Sequence, residues 1–180
     1  MTSRLVSFVV PSEFVTAHAV LTPAELGTGF IDGWLDAHGV VQVALAKLEK
    51  GIPLSDVEDR IALLLTDQYD ELPDLVAELF PEVSSRASEP TAVWLFIALA
   101  WVIAGPSGFD NPQQVIDMLY ADFGYPDEVE ALVSYMPAPP DSESSPEAIR
   151  HRWVEYLDRK SAEYSMRTNA MTHPARPSPW

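Results

Sequence analysis

The sequence predicts an all-α fold: an irregular orthogonal bundle of about eight short helices around a central apolar helix, Thr91–Ala104. Three observations predict it. Ala92 to Ala104 is a run of thirteen apolar residues, closed by Gly105-Pro106. A membrane span needs roughly 20 such residues, so this run is a buried helix rather than a crossing. Helix-start signatures recur along the chain, at Thr22-Pro23-Ala24-Glu25, Ser55-Asp56-Val57-Glu58, Asn111-Pro112 and Ser145-Pro146-Glu147. Between them apolar residues fall at helical spacing, and no segment alternates as a convincing strand.

Leu5 to Val10 has strand-like composition but no partner strand, so it reads as an extended lead-in. Ser12 is placed to cap a short helix ending near His18. Thr22-Pro23-Ala24-Glu25 is a capping box with Pro at the first helical position, followed by Leu26, Phe30 and Trp34 at intervals of four. Gly27 and Gly29 weaken this helix by about 1 kcal/mol each relative to Ala, which predicts a short or bent element. Asp36 starts the next helix, with Val41, Leu45 and Leu48 inward beside Val40 and Ala44, Lys47 and Lys50 near the end, and Gly51 as the stop.

Ser55 opens a second capping box, with Val57, Ile61, Leu64 and Leu65 as its buried stripe. Asp70 is a candidate cap for a helix carrying Leu72, Leu75, Val76 and Leu79 inward to Phe80-Pro81, after which 82–89 reads as a polar connector. Beyond the central helix, Asn111-Pro112 starts a helix with Val115, Ile116, Leu119, Tyr120 and Phe123 on one face and Gly124 at its end. Pro126 opens a further helix, with Asp127 and Glu128 in its first turn and Val129, Leu132, Val133 and Met136 inward. Residues 137–145 form a linker. The last helix starts at Ser145 with Ile149, Trp153, Tyr156 and Leu157 as its stripe. The reading is one helical domain over 1–165 and a disordered tail over 166–180.

The chain has no cysteine, which excludes disulfides, thiolate metal sites and cysteine nucleophiles. The net charge is −16, and residues 1–145 carry −18 of it while 146–180 carry +2. Such a body repels nucleic acid and anionic lipid and attracts basic partners, although acidic surfaces also serve solubility. With no signal peptide and no stretch of membrane length, the expected location is the cytoplasm.

From Trp94 to Pro137 a set of motifs stands out. It comprises Trp94-Leu95-Phe96-Ile97-Ala98-Leu99-Ala100-Trp101, Asn111-Pro112, Met118-Leu119-Tyr120-Ala121-Asp122-Phe123-Gly124-Tyr125-Pro126-Asp127-Glu128-Val129 and Ser134-Tyr135-Met136-Pro137. This resembles the bacterial family known as domain of unknown function 2247, with its tryptophan-paired apolar helix, Tyr-Ala-Asp-Phe-x-Tyr-Pro-x-Glu segment and closing Tyr-Met-Pro. Gly33-Trp34-Leu35-Asp36, Lys47-Leu48-Glu49-Lys50-Gly51 and Trp153-Val154-Glu155-Tyr156-Leu157 fit the same family. The likeness covers most of residues 12–160. It implies a small soluble bacterial protein, some relatives of which look like members of toxin–immunity gene sets. It transfers no catalytic residue.

The residues themselves offer little chemistry. His18, His38, His151 and His173 form no ligand pair at metal-site spacing, and each reads as a surface or cap histidine. No nucleophile elbow or phosphate loop is present. Gly27-Thr28-Gly29 lacks the third glycine of a dinucleotide site. No catalytic, cofactor-binding or metal site is therefore assigned. Asp122 and Tyr125 read more simply as parts of a helix end than as a site, and Trp94 and Trp101 as core residues.

The carboxylates carry the functional reading. Asp67, Asp70, Glu71 and Asp74 fall at i, i+3, i+4 and i+7, with Asp56, Glu58 and Asp59 on the preceding helix and Glu78 after them. As alternatives to a docking surface, these residues read as a solvated face or as an oxygen-ligand metal site. The leading expectation is a non-enzymatic immunity protein that masks a basic toxin, such as a nuclease, through this face. An intracellular helical adaptor without a toxin is the second expectation and a metal-dependent hydrolase the third. Neither nucleic acid nor membrane is an expected partner, and the sequence leaves the oligomeric state open.

Overall fold

A computed structural model describes residues 4–80, 90–105, 109–137, 143 and 145–172, with the backbone course alone for 165–172. The regular secondary structure of the described residues is all helical, without a strand. Its α-helices are α1 (Ser12–His18), α2 (Pro23–Ile31), α3 (Ala37–Glu49), α4 (Asp56–Ala62), α5 (Leu72–Glu78), α6 (Ala92–Ala104), α7 (Pro112–Asp122) and α8 (Pro146–Thr172). Two 3-10 helices, Thr66–Glu71 and Asp127–Leu132, precede α5 and follow α7.

The local start signals act as the sequence predicts. Thr22 and Ser55 close complete capping boxes with Glu25 and Glu58, and the Asp36 and Asn111 side chains accept the N–H groups of Gly39 and Gln114. Each satisfies amide donors that the first helical turn leaves free. Ser12 is not a cap: Pro11 takes that position and Ser12 is the first helical residue of α1. Asp70 is not a cap either, because it lies inside the first 3-10 helix and α5 follows directly from Glu71.

The predicted central helix is central. Val93 to Ala100 and Val102 are buried, with Trp94 and Ile97 fully so, and α6 packs against α1, α2, α7 and α8. The remaining helices are arranged less radially than expected. α3 packs on α4 and α4 on α5; α3 meets α1 and α2, α5 meets α2, and α1 and α2 in turn contact α6. The Leu5–Val10 lead-in is extended. The Asp122 carboxylate accepts the N–H groups of Leu5 (2.8 Å) and Val6 (2.9 Å), and Val10 N–H donates to the Trp34 carbonyl (2.9 Å).

Four expectations need correction. Leu48 is 44% exposed, and the buried face of α3 runs through Val40, Val43, Ala44 and Lys47 beside Val41. α4 ends at Ala62, so Leu65 falls outside it and is 64% exposed. The segment after Pro126 winds as a 3-10 helix. α8 continues through 166–172, the start of the expected tail. The 82–89 connector, most of the 137–145 linker and residues 173–180, His173 among them, lie outside the described residues.

Candidate protein-binding surface

α4 and the Thr66–Glu71 helix each pack on α5, which makes the three one acidic unit. Residues 55–80 carry eight carboxylates against a single basic residue, Arg60. The core face of the unit is built from Ile61, Leu72, Leu75, Val76 and Leu79, all buried, which turns the polar positions of each short helix outward. Asp56, Asp59, Asp67, Asp70, Glu71, Asp74 and Glu78 are exposed. Glu78 is held by Arg60 at 2.7 Å, a surface ion pair that ties α5 to α4. The other six have no ion-pair partner among the described residues.

Glu58 does not belong to this face. It is 1% exposed, and its carboxylate accepts from Ser55 N–H (2.8 Å), from the Ser55 hydroxyl and from the ammonium of Lys47. Lys47 is itself 5% exposed and also donates to the Leu21 carbonyl at 3.0 Å. The pair is a structural pin between α3 and α4, with its hydrogen-bonding capacity used inside the protein.

Leu65, expected on the buried stripe of α4, belongs to the surface instead, and Leu63 joins it there. Leu63, the residue that closes α4, is 71% exposed, and Leu65, two residues before Asp67, is 64% exposed. The acidic unit therefore presents two leucines among unpaired carboxylates. Their signal in the sequence was faint: Leu63, Leu64 and Leu65 are consecutive, and a helix can bury only part of such a run.

The metal reading finds no support in the side-chain placement. Among the described residues no three His, Asp or Glu side chains converge to hold an ion. His18 bonds the Phe14 carbonyl (2.8 Å), His38 the Tyr69 hydroxyl (3.1 Å), and His151 pairs with Glu155 (3.5 Å), each on its own.

A cleft of about 300 Å³ is lined by Arg4, Asp32, Trp34, Thr91, Asp122, Phe123 and Gly124. Its charged groups already have partners. The Arg4 guanidinium lies 4.2 Å from the Trp34 ring centre and 3.5 Å from Asp32, and Asp122 holds the lead-in. Trp34 stacks on Phe123 and meets the edge of Phe8. The cleft is thus the seam where the N-terminal segment is fastened to the ends of α2 and α7. Trp94 is a core residue as read, donating its indole N–H to the Glu25 carbonyl at 2.7 Å. Trp101 is half-buried against Phe14.

Compared with known proteins, the chain matches over residues 12–161 the family described as an uncharacterized protein conserved in bacteria, domain of unknown function 2247. The chain belongs to this family. No curated protein and no solved structure matches it. The matched span begins at α1 and ends within α8, so it takes in the acidic unit and the whole of α6 and α7. Among the described residues no helix is long and apolar enough to cross a membrane.

Proposed function

We propose that this protein is a non-enzymatic binding protein that engages a basic protein through the α4–α5 unit. More specifically, it is an immunity protein that covers the substrate surface of a basic bacterial toxin such as a nuclease. The observation that carries this reading is the pairing of exposed Leu63 and Leu65 with Asp56, Asp59, Asp67, Asp70, Glu71 and Asp74. An apolar centre with a charged rim is the usual composition of a protein–protein contact. Exposed carboxylates without cations nearby are mutually repulsive, and a basic partner relieves that repulsion. On a nuclease they would stand where the phosphates of the substrate otherwise lie, so blocking needs no chemistry.

The test is capture of the partner with tagged protein at low salt from the native host, with Leu65→Ala protein as the comparison. One stoichiometric basic protein is expected, bound about tenfold more weakly by the variant because a buried leucine side chain contributes about 1.5–3 kcal/mol. Expression of that partner alone should arrest growth, and co-expression with this protein should restore it. A partner that is harmless alone would replace the toxin by the adaptor reading. Equal binding by the Leu65→Ala protein would remove the α4–α5 unit as the contact.

A further inference from the structure

Three helices of this chain end with the same device. After α2, α3 and α7 comes a glycine of positive φ: Gly33 (73°), Gly51 (68°) and Gly124 (76°). Its N–H donates to the carbonyl three residues back, and the next residue donates to the carbonyl five back: Trp34 to Gly29 (2.8 Å), Ile52 to Lys47 (3.0 Å) and Tyr125 to Tyr120 (2.9 Å). This cap folds the residue after the glycine against the helix it has just left, commonly as an apolar contact. In the first two cases that residue goes inside, with Trp34 at 1% and Ile52 at 4% exposure. Tyr125 instead is 59% exposed, and its φ of 61° is the only positive value among the described non-glycine residues. Left-handed backbone costs a bulky residue roughly 1–2 kcal/mol. The chain accepts that cost to hold an aromatic ring at the surface.

Tyr125 does not stand alone. Its ring meets the edge of Tyr120 at 5.2 Å, and Tyr135 lies 6.3 Å from the same Tyr120 ring. Tyr120 is 5% exposed and forms the floor, while Tyr135 is 58% exposed. The turn carrying Tyr135 is fixed from α7, where Asp117 accepts the Ser134 N–H (2.9 Å), the Ser134 hydroxyl and the Gln113 amide. Asp127 and Glu130 lie on the 3-10 helix that starts two residues after Tyr125, and after burial they are among the causes that push the Tyr120 hydroxyl above its ordinary range. Neither has an ion-pair partner among the described residues, whereas Glu128 between them is taken by Lys160 at 2.8 Å.

We propose that Tyr120, Tyr125 and Tyr135, with Asp127 and Glu130, form a binding site for an arginine side chain presented by a basic protein partner. Ring faces attract cations, and a planar guanidinium can stack on one ring while donating to a carboxylate. The chain makes this combination within itself, where Arg4 lies over Trp34 and beside Asp32. The site shares the basic partner with the reading above, and it uses no residue of the α4–α5 unit.

The experiment is an NMR titration of the full chain, labelled at tyrosine, with a hexa-arginine peptide at low salt. Saturable shifts at Tyr120, Tyr125 and Tyr135 are expected, absent with the hexa-citrulline peptide and weaker with hexa-lysine. The Tyr125→Ala/Tyr135→Ala protein should bind about tenfold more weakly, whereas Asp70→Lys/Asp74→Lys should leave the tyrosine shifts in place. Unchanged affinity in the tyrosine variant, no saturable shift at these rings, or equal shifts with hexa-lysine would overturn the assignment. Loss of peptide binding in the Asp70/Asp74 variant alone would overturn this site and leave the α4–α5 reading standing.

Discussion

Glu58 performs two tasks with one carboxylate. It completes the capping box of α4 through Ser55 and neutralises the buried Lys47 of α3. Removing one member of a buried pair strands the other charge, at a cost of about 3–5 kcal/mol. Lys47→Met is therefore expected to lower unfolding stability by that amount in a urea titration. Adding Glu58→Gln should return part of the loss, and additive losses would contradict the pairing. The capping half of this arrangement was legible in Ser55-Asp56-Val57-Glu58, because a cap is a local pattern. The burial was not, since Lys47 meets Glu58 only when α3 packs on α4. A useful signal was present all the same: a glutamate committed to its own N-cap is turned back from solvent. Tyr125 is the second case at this scale. Tyr125→Gly relieves the left-handed backbone and Tyr125→Ala does not, so the Gly protein should be the more stable by about 1 kcal/mol. Equal stability of the two would show that φ carries no strain there.

Helices were the most legible level. α6 announced itself because a run with no polar side chain has only one place to go, and its end at a left-handed Gly105 followed the sequence. The errors arose where a charged or apolar residue took the unexpected side. On α3 the buried positions Val40, Val43, Ala44 and Lys47 form a regular i, i+3, i+4, i+7 face. A lysine in that face moved the predicted stripe towards Leu48. Gly29 illustrates what helix propensity misses. Read alone it weakens α2, but a Cβ there would sit 2.1 Å from the Trp94 ring, so the absent side chain is what lets α2 approach α6. Gly29→Ala is accordingly expected to destabilise by about 3 kcal/mol through overpacking, despite the better helix propensity of Ala. Thermal unfolding measures it, and a Tm equal to or above that of the parent chain would contradict the close approach.

Across the molecule, the packing order explains where the charge is displayed. α1 and α2 contact α6, α3 meets both of them and α5 meets α2, while α4 and α5 keep their polar positions exposed. The i, i+3, i+4, i+7 carboxylate set is divided between the first 3-10 helix (Asp67, Asp70, Glu71) and α5 (Asp74). The fold class could nonetheless be read from the sequence, and so could the exposure of seven of the eight proposed contact carboxylates from their charge. The leucines between them and the tyrosine cluster could not, because both depend on where short helices stop: α4 at Ala62 and α7 at Asp122. In the proposed function the α4–α5 carboxylates guide a basic protein to this chain. The most direct measurement is the association rate with the captured partner, by stopped flow over a range of ionic strength, for the parent chain and for Asp70→Lys/Asp74→Lys. Steered association reaches about 10⁸–10⁹ M⁻¹s⁻¹ at low salt and falls steeply as salt is added. The parent is expected to behave in this way, and the variant to associate more slowly with a flatter salt dependence. Superimposable curves for the two proteins would contradict it.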